Sequence, residues 1–250
     1  MSTIKRNEPP LPNFKVVIPA RYASQRFPGK PLHKICGKPL IQYTYENAVQ
    51  SGADEVIVAS DDQRIIDCAD GFGGVACLSS PAHKTGSDRC AEIAETRKWK
   101  DEQIVVNLQG DEPLLSPQDI RTAVACLDTH PNADVATLAA QVPAKDLVSD
   151  SVVSVVCDSK QFALYFSRAG LPAGGKTGLH HIGIYVYYCN FVKHFASLAQ
   201  PEIELNECLE QLRVLWYGGT IYVGMVSASS HVSVDTEADV PKLEKMLEGS

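Results

Sequence analysis

The feature that most narrows what this chain can become is an alternation. Short apolar runs rich in Val, Ile and Ala recur along the first 140 residues, and between them lie longer stretches with apolar residues spaced three and four apart. FKVVIP (14–19), DEVIVAS (54–60), GVACLS (74–79), QIVVNLQ (103–109) and DVATLAA (134–140) have the length and composition of buried strands. PLIQYTYENAVQSG (39–52), DQRIIDCADGFG (62–73), DRCAEIAETRKW (88–99) and PQDIRTAVACLDTH (117–130) have helical spacing, two of them with glycine stops. This rhythm predicts an α/β fold, a mostly parallel, doubly wound sheet with helices on both faces.

From residue 151 the rhythm loosens. SVVSVVCD and FALYFSR, joined by SKQ, read as an antiparallel pair, and GLHHIGIYVYY (178–188) as a further strand, so the second half carries an antiparallel excursion. NFVKHFASLA (190–199) and ELNECLEQLRVLWYG (204–218) read as helices and IYVGMVS (221–227) as a late strand. DTEADVPKLEKMLE (235–248) reads as a closing helix with Thr236 and Asp239 as a capping pair. With no repeat or low-complexity linker, residues 14–250 are expected to form one domain and residues 1–13, MSTIKRNEPPLPN, a flexible tail.

The totals exclude several classes of function. A net charge of −7 and a pI near 5.5 argue against a general nucleic-acid binder, and no run is long enough to insert in a membrane. The eight cysteines are scattered without a CxxC pair, the usage of a reduced, cytoplasmic protein.

Against this acidic background one segment stands out. Residues 15–45 contain six Lys or Arg and no Asp or Glu. Within it, IPARYASQRFPGKPL (18–32) follows the first strand directly, at the sheet edge where α/β proteins bind ligands. Ala20, Ala23, Ser24 and Gly29 let backbone amides approach a ligand, while Arg21, Arg26 and Lys30 bring positive charge. Amides and cations together suit a polyphosphate. The loop is neither GxxxxGK[ST] nor GxGxxG.

IPARYASQRFPGKPL, together with TGSDR (85–89), VNLQGDEP (106–113), ALYFSR (163–168), HIGIY (181–185), LEQLRVLWYG (209–218) and VDT (234–236), resembles in order the motifs of the cytidylyltransferases that activate 3-deoxy-manno-octulosonate (Kdo). The resemblance implies a fold of the nucleotide-diphospho-sugar transferase type. It implies transfer of CMP from CTP to the anomeric hydroxyl of Kdo, with release of pyrophosphate, a Mg2+ cofactor and a homodimer. Neighbouring readings are transfer to a related acid sugar, such as 8-amino-Kdo or a sialic-acid-like sugar, and a catalytically silent nucleotide-sugar binder.

The same resemblance assigns residues. Arg21 and Lys30 would hold the phosphates, with Ser24 and the backbone at Ala20 adding neutral donors and Arg26 either reaching the leaving pyrophosphate or facing solvent. Asp111, at the carboxyl end of its strand, and Asp235, after the late strand, would bind magnesium, with Glu112 orienting Asp111 or capping the next turn. Gln109 and Arg89 would face the nucleotide. Arg168 would fork onto the sugar carboxylate, with Lys176 as its rival, and His181, Tyr185, Glu210 and Gln211 would hold the sugar. Ser154 in place of a usual lysine, His180 in place of a common arginine and a short loop at 172–178 all fall on the sugar side and leave the exact acid sugar open.

Overall fold

The computed structural model describes residues 11–23, 27–149, 152–172, 174–228 and 236–248. The alternation read from the sequence appears as β1 (Phe14–Ala20), β2 (Lys34–Ile35), β3 (Lys38–Pro39), α1 (Leu40–Gln50), β4 (Glu55–Ser60), α2 (Gln63–Gly71) and β5 (Ala76–Leu78). It continues through α3 (Gly86–Thr96), β6 (Ile104–Leu108), α4 (Pro117–Thr129) and β7 (Val135–Pro143). The second half adds β8 (Ser154–Cys157), β9 (Ala163–Ser167), β10 (Thr177–Tyr188), α5 (Cys189–Ser197), α6 (Glu202–Glu207), α7 (Gln211–Trp216), β11 (Ile221–Val226) and α8 (Val240–Glu248).

The main sheet runs β11-β7-β10-β6-β1-β4-β5. The β1–β4, β1–β6, β4–β5 and β11–β7 pairs are parallel, and β10 runs against both β6 and β7. Side-chain alternation divides two apolar layers. Val16, Ile18, Val58, Val106 and Leu138 pack toward α1, α2 and α4, whereas Val17, Ile57, Val105, Ala139 and Tyr187 pack toward α3, α5 and α7. Helices therefore cover both faces, as the pattern predicts.

The expected antiparallel excursion is β8–β9–β10. One side of the long β10 pairs with β6 from Ile184 to Tyr188 and with β8 at Leu179 and His180. Between those pairings β6 and β8 part around Ile182: His181 N–H still bonds the Val153 carbonyl and the Gly183 carbonyl accepts from Gln109 N–H, while on the other side of β10 the register with β7 shifts between Ile182 and Tyr185.

Local signals explain the helix starts. Thr85 with Asp88, Ser116 with Asp119 and Thr236 with Asp239 each form a reciprocal capping box. The single helix expected over 204–218 is corrected. Cys208 adopts a left-handed conformation (φ 53°), ending α6, and Leu209 N–H bonds back to the Glu204 carbonyl. The reason is tertiary: the break lets Arg213 of α7 grip Glu204 of α6 through two hydrogen bonds of 2.7 and 2.6 Å.

Candidate active site

β1 lies between β6 and β4, where successive strands depart in opposite directions across the sheet, and open α/β sheets bind ligands at such a point. The loops after β1 and β6, the first turn of α3, the parted stretch of β10 and the α6–α7 corner enclose a cleft of about 610 Å³ there.

The loop after β1 reaches the cleft through Arg21, whose Nη2 donates to the His83 carbonyl at 2.6 Å while the side chain stays exposed. Ala20 ends β1 and is buried. Gly29 then turns the chain with φ 72°, and an added Cβ would lie 3.2 Å from the Tyr22 ring, so the position needs glycine. That turn sends Lys30 inward. Its Nζ meets Asp111 Oδ2 at 2.7 Å, joining two residues 81 apart in sequence. Asp111 leaves β6 beside Gly110, where a Cβ would crowd Ile41 and the Pro19 carbonyl. Glu112, largely buried, accepts a long hydrogen bond from Gly183 N–H (3.4 Å) across the parted sheet. Ser24, Arg26 and Asp235 lie outside the described residues.

Gln109 lines the cleft, its Nε2 donating to the side-chain Oδ1 of Asn107 at 3.0 Å. Gly86 opens α3 where a Cβ would come 2.9 Å from that amide, so glycine lets the helix start against the strand ends. Lys84 and Thr85 line the cleft just before it; Thr85 opens the motif TGSDR and Lys84 precedes it, and neither was given a role. Arg89 departs from expectation. It is 1% exposed and does not line the cleft. Its guanidinium donates to Asp61 (2.9 Å), to the Ser79 hydroxyl and to the Ser80 carbonyl. Because α3 begins at Gly86, Arg89 falls one turn in, facing the sheet, where it braces the cleft wall from behind. Burial lowers its pKa, with Asp61 opposing.

The other end of the cleft is built from strands and helices. Arg168 follows β9, its Nε held by the Glu207 carbonyl (3.2 Å) and its backbone N–H by the Glu207 carboxylate (3.1 Å). His180 lines the cleft but Lys176 does not. Ser154 is buried outside the cleft, donating to the Ser167 carbonyl and accepting from Leu171 N–H. His181 Nε2 lies 2.9 Å from the Thr137 hydroxyl, which points its own proton at the Ile184 carbonyl (2.6 Å). Thr137 therefore accepts, His181 carries its proton on Nε2, and Nδ1 is left as an acceptor. Burial first, then His180 and Arg168, push the His181 pKa down to about 3, so the ring is neutral.

Tyr185 donates to Gln211 Oε1 at 3.0 Å, and burial raises its pKa well above the ordinary tyrosine value. Glu210 lines the cleft with its oxygens engaged: Oε1 accepts from the Ser87 hydroxyl (2.9 Å) and Asn107 (3.3 Å), and Oε2 from Ser87 N–H (3.3 Å). Burial raises its pKa and the Ser87 bonds oppose that. Glu210 thus ties α7 to the first turn of α3. Glu210, expected to hold the sugar, lines the cleft with its oxygens given to the fold.

Supporting residues escaped the sequence reading. Glu207 collects Tyr165, Ser167 and Arg168, and Arg213 adds an approach of 3.6 Å to Asp88 to its grip on Glu204. Their only sequence signal is charge inside an apolar helical stretch. Among the described residues, three or more His, Cys, Asp or Glu do not gather in a metal-binding group, and no helix is long and apolar enough to cross a membrane.

Comparison with known proteins aligns the whole arrangement. A family model described as Cytidylyltransferase matches residues 15–221. The protein of Thioalkalivibrio sulfidiphilus called 3-deoxy-manno-octulosonate cytidylyltransferase is 44% identical over 247 residues, covering 94% of this chain and 99% of the relative. One of the same name from Aliivibrio fischeri is 45% identical over 247 residues with the same coverage. A solved structure of CMP:2-keto-3-deoxy-manno-octonic acid synthetase complexed with CTP superposes with a TM-score of 0.87 at 38% identity, covering 95% of this chain and 99% of that one.

Proposed function

The chain belongs to the cytidylyltransferase family, in its 3-deoxy-manno-octulosonate branch, and we propose that it transfers CMP from CTP to the anomeric hydroxyl of Kdo. The oxygen of that hydroxyl forms a bond to the α-phosphorus of CTP, the bond to pyrophosphate breaks, and the hydroxyl proton leaves to solvent. The products are CMP-Kdo and pyrophosphate. The observation that carries this reading is one cleft with two chemically distinct ends: Arg21 and Asp111, the latter held by Lys30, at one, and Arg168, His181, Tyr185 and Gln211 at the other.

Each residue then has a task that its position supports. Arg21 is exposed at the cleft and Lys30 holds Asp111, a cleft-lining carboxylate, so their charges lie where phosphate oxygens would sit. The backbone after Ala20 offers amides to the same triphosphate. Gln109 presents an amide that matches a cytosine edge or a ribose hydroxyl. Arg168, steadied by Glu207, meets the sugar carboxylate, and the neutral His181, Tyr185 and Gln211 take hydroxyls. Holding both substrates in line converts a bimolecular encounter into attack within one complex.

The residues present fit magnesium. Asp111 is a hard oxygen donor at a strand end inside the cleft, and Asp235, outside the described residues, is the second candidate. When bound, the ion adds positive charge to the triphosphate and steadies the leaving pyrophosphate. The dimer reading has support in the open end of the sheet, where Met225 and Leu164 are exposed and, among the described residues, β9 pairs only with β8. Light scattering tests it: a monomer mass at micromolar protein sinks it. Eight free thiols fit work in a reducing cytoplasm.

One assay tests the central reading. With CTP, magnesium and a panel of acid sugars, pyrophosphate should appear with Kdo and far more slowly with sialic-acid-like sugars, while ATP and GTP should not replace CTP. Pyrophosphate with a different acid sugar alone would move the assignment to that sugar, and none with any would leave a binder.

A further inference from the structure

We propose that Gln200 reads a hydroxyl of the acid sugar through its Oε1, with Gln211 Nε2 as the complementary donor in the same cleft. This rests on the reading above and extends it to a residue outside the recognised motifs.

Folded proteins leave few buried polar atoms without a partner, so the exceptions point to something. Among the described residues three buried side-chain atoms have none: Arg89 Nε, Gln200 Oε1 and Gln211 Nε2. The first sits behind the wall. The other two belong to residues that line the cleft, and Gln211 is 2% exposed.

The orientation of the Gln200 amide is set by its neighbour. Its Nε2 donates to Glu204 Oε1 at 2.8 Å. Glu204 is in turn gripped by Arg213 Nε (2.7 Å) and Nη2 (2.6 Å), so both of its oxygens are fixed as acceptors. Turning the amide over would set a carbonyl oxygen against that carboxylate, two acceptors face to face. The atom left over is therefore an acceptor. Phosphate oxygens and a sugar carboxylate are acceptors too and cannot satisfy it. A hydroxyl can, and because a hydroxyl also accepts, Gln211 Nε2 can be satisfied by the same class of group. An unpaired donor and an unpaired acceptor on residues lining one cleft suit a polyhydroxylated ligand.

The test is steady-state kinetics of the full chain, wild type against Gln200→Met, which keeps the side-chain length and removes the acceptor. The expected result is a Michaelis constant for Kdo raised tenfold or more, with that for CTP within twofold of wild type. Kdo analogues lacking one hydroxyl each should include one that the wild type uses poorly and that loses nothing further in the variant. A Kdo constant within twofold of wild type overturns the proposal. So does an equal rise in the CTP constant, which would place the atom on the cytosine amino group. If Gln200→Met does not fold, Gln200→Ala, before the first turn of α6, carries the same comparison. Wild-type protein that makes no CMP-Kdo would sink the functional reading itself, a separate outcome.

Discussion

The two ends of the cleft are built from opposite materials. At the nucleotide end the working groups are ionic and carried on loops: Arg21 is exposed, and Lys30 and Asp111 hold each other at 2.7 Å. At the sugar end they are mostly neutral and carried on β10 and α7, with His181, Tyr185 and Gln211 buried and already hydrogen-bonded to the fold. The difference suits the ligands proposed for the two ends. A triphosphate is a dense charge that any well-placed cation can meet, so groups that exchange partners serve it. A sugar offers hydroxyls in fixed directions, which only groups locked by packing can match. The nucleotide end should therefore fail in chemistry without unfolding, and the sugar end should fail together with its supports.

The largest expected effect is at the charged end. Asp111→Asn should lower turnover about 10³-fold, roughly 4 kcal/mol of transition-state stabilisation, while the ligand-free melting temperature shifts by no more than about 2 °C. Near-normal turnover at moderate magnesium would remove Asp111 from the chemistry. Next comes a support of the sugar end. Arg213→Met strands Glu204 in the interior and should cost roughly 3–5 kcal/mol in urea denaturation. A loss below about 1 kcal/mol would show that the α6–α7 corner does not depend on this pair, and the contrast between the ends would fall.

A third test reads pH. The folded His181 pKa lies near 3 and the unfolded value near 6.5, so the unfolded chain takes a proton that the folded one refuses. Stability is unaffected above pH 6.5 and is lost as pH falls below it, by about 2 kcal/mol from this residue at pH 5. His181→Gln, which keeps a donor for Thr137, should flatten that part of the urea-midpoint profile, and an unchanged slope would mean that the ring is not buried neutral. The smallest effect separates substrates. Arg168→Ala should raise the Michaelis constant for Kdo about tenfold, or 1.4 kcal/mol, and leave calorimetric CTP affinity alone, whereas Lys176→Ala should do neither. The reverse pattern would put the carboxylate on Lys176.

The charged end was the more legible of the two. A loop of small and basic residues after one strand, and Gly-Asp after another, are local signals. A parallel sheet brings the carboxyl ends of its strands to one edge, so Lys30 and Asp111 meet once the strands are identified. The sugar-end residues were named from their motifs, but the reasons they stand where they do were not visible. Residues nine apart on an unbroken helix point in opposite directions, so the reading of 204–218 as one helix separates Glu204 from Arg213. The left-handed turn at Cys208 brings them together.

What the sequence by itself determined is whatever has a short period or a short range: the strands, most helices, their caps, the α/β class and the basic loop. Tertiary structure alone decided that α6 and α7 part at Cys208, that Arg89 turns to Asp61 rather than to the cleft, and that Gln200 and Gln211 each keep one atom unpaired. The physical reason is that a hydrogen bond inside a protein is settled by which groups are brought together after burial. An Asp61–Arg89 or Glu204–Arg213 pair leaves no periodic trace in the chain, because its partners belong to different elements.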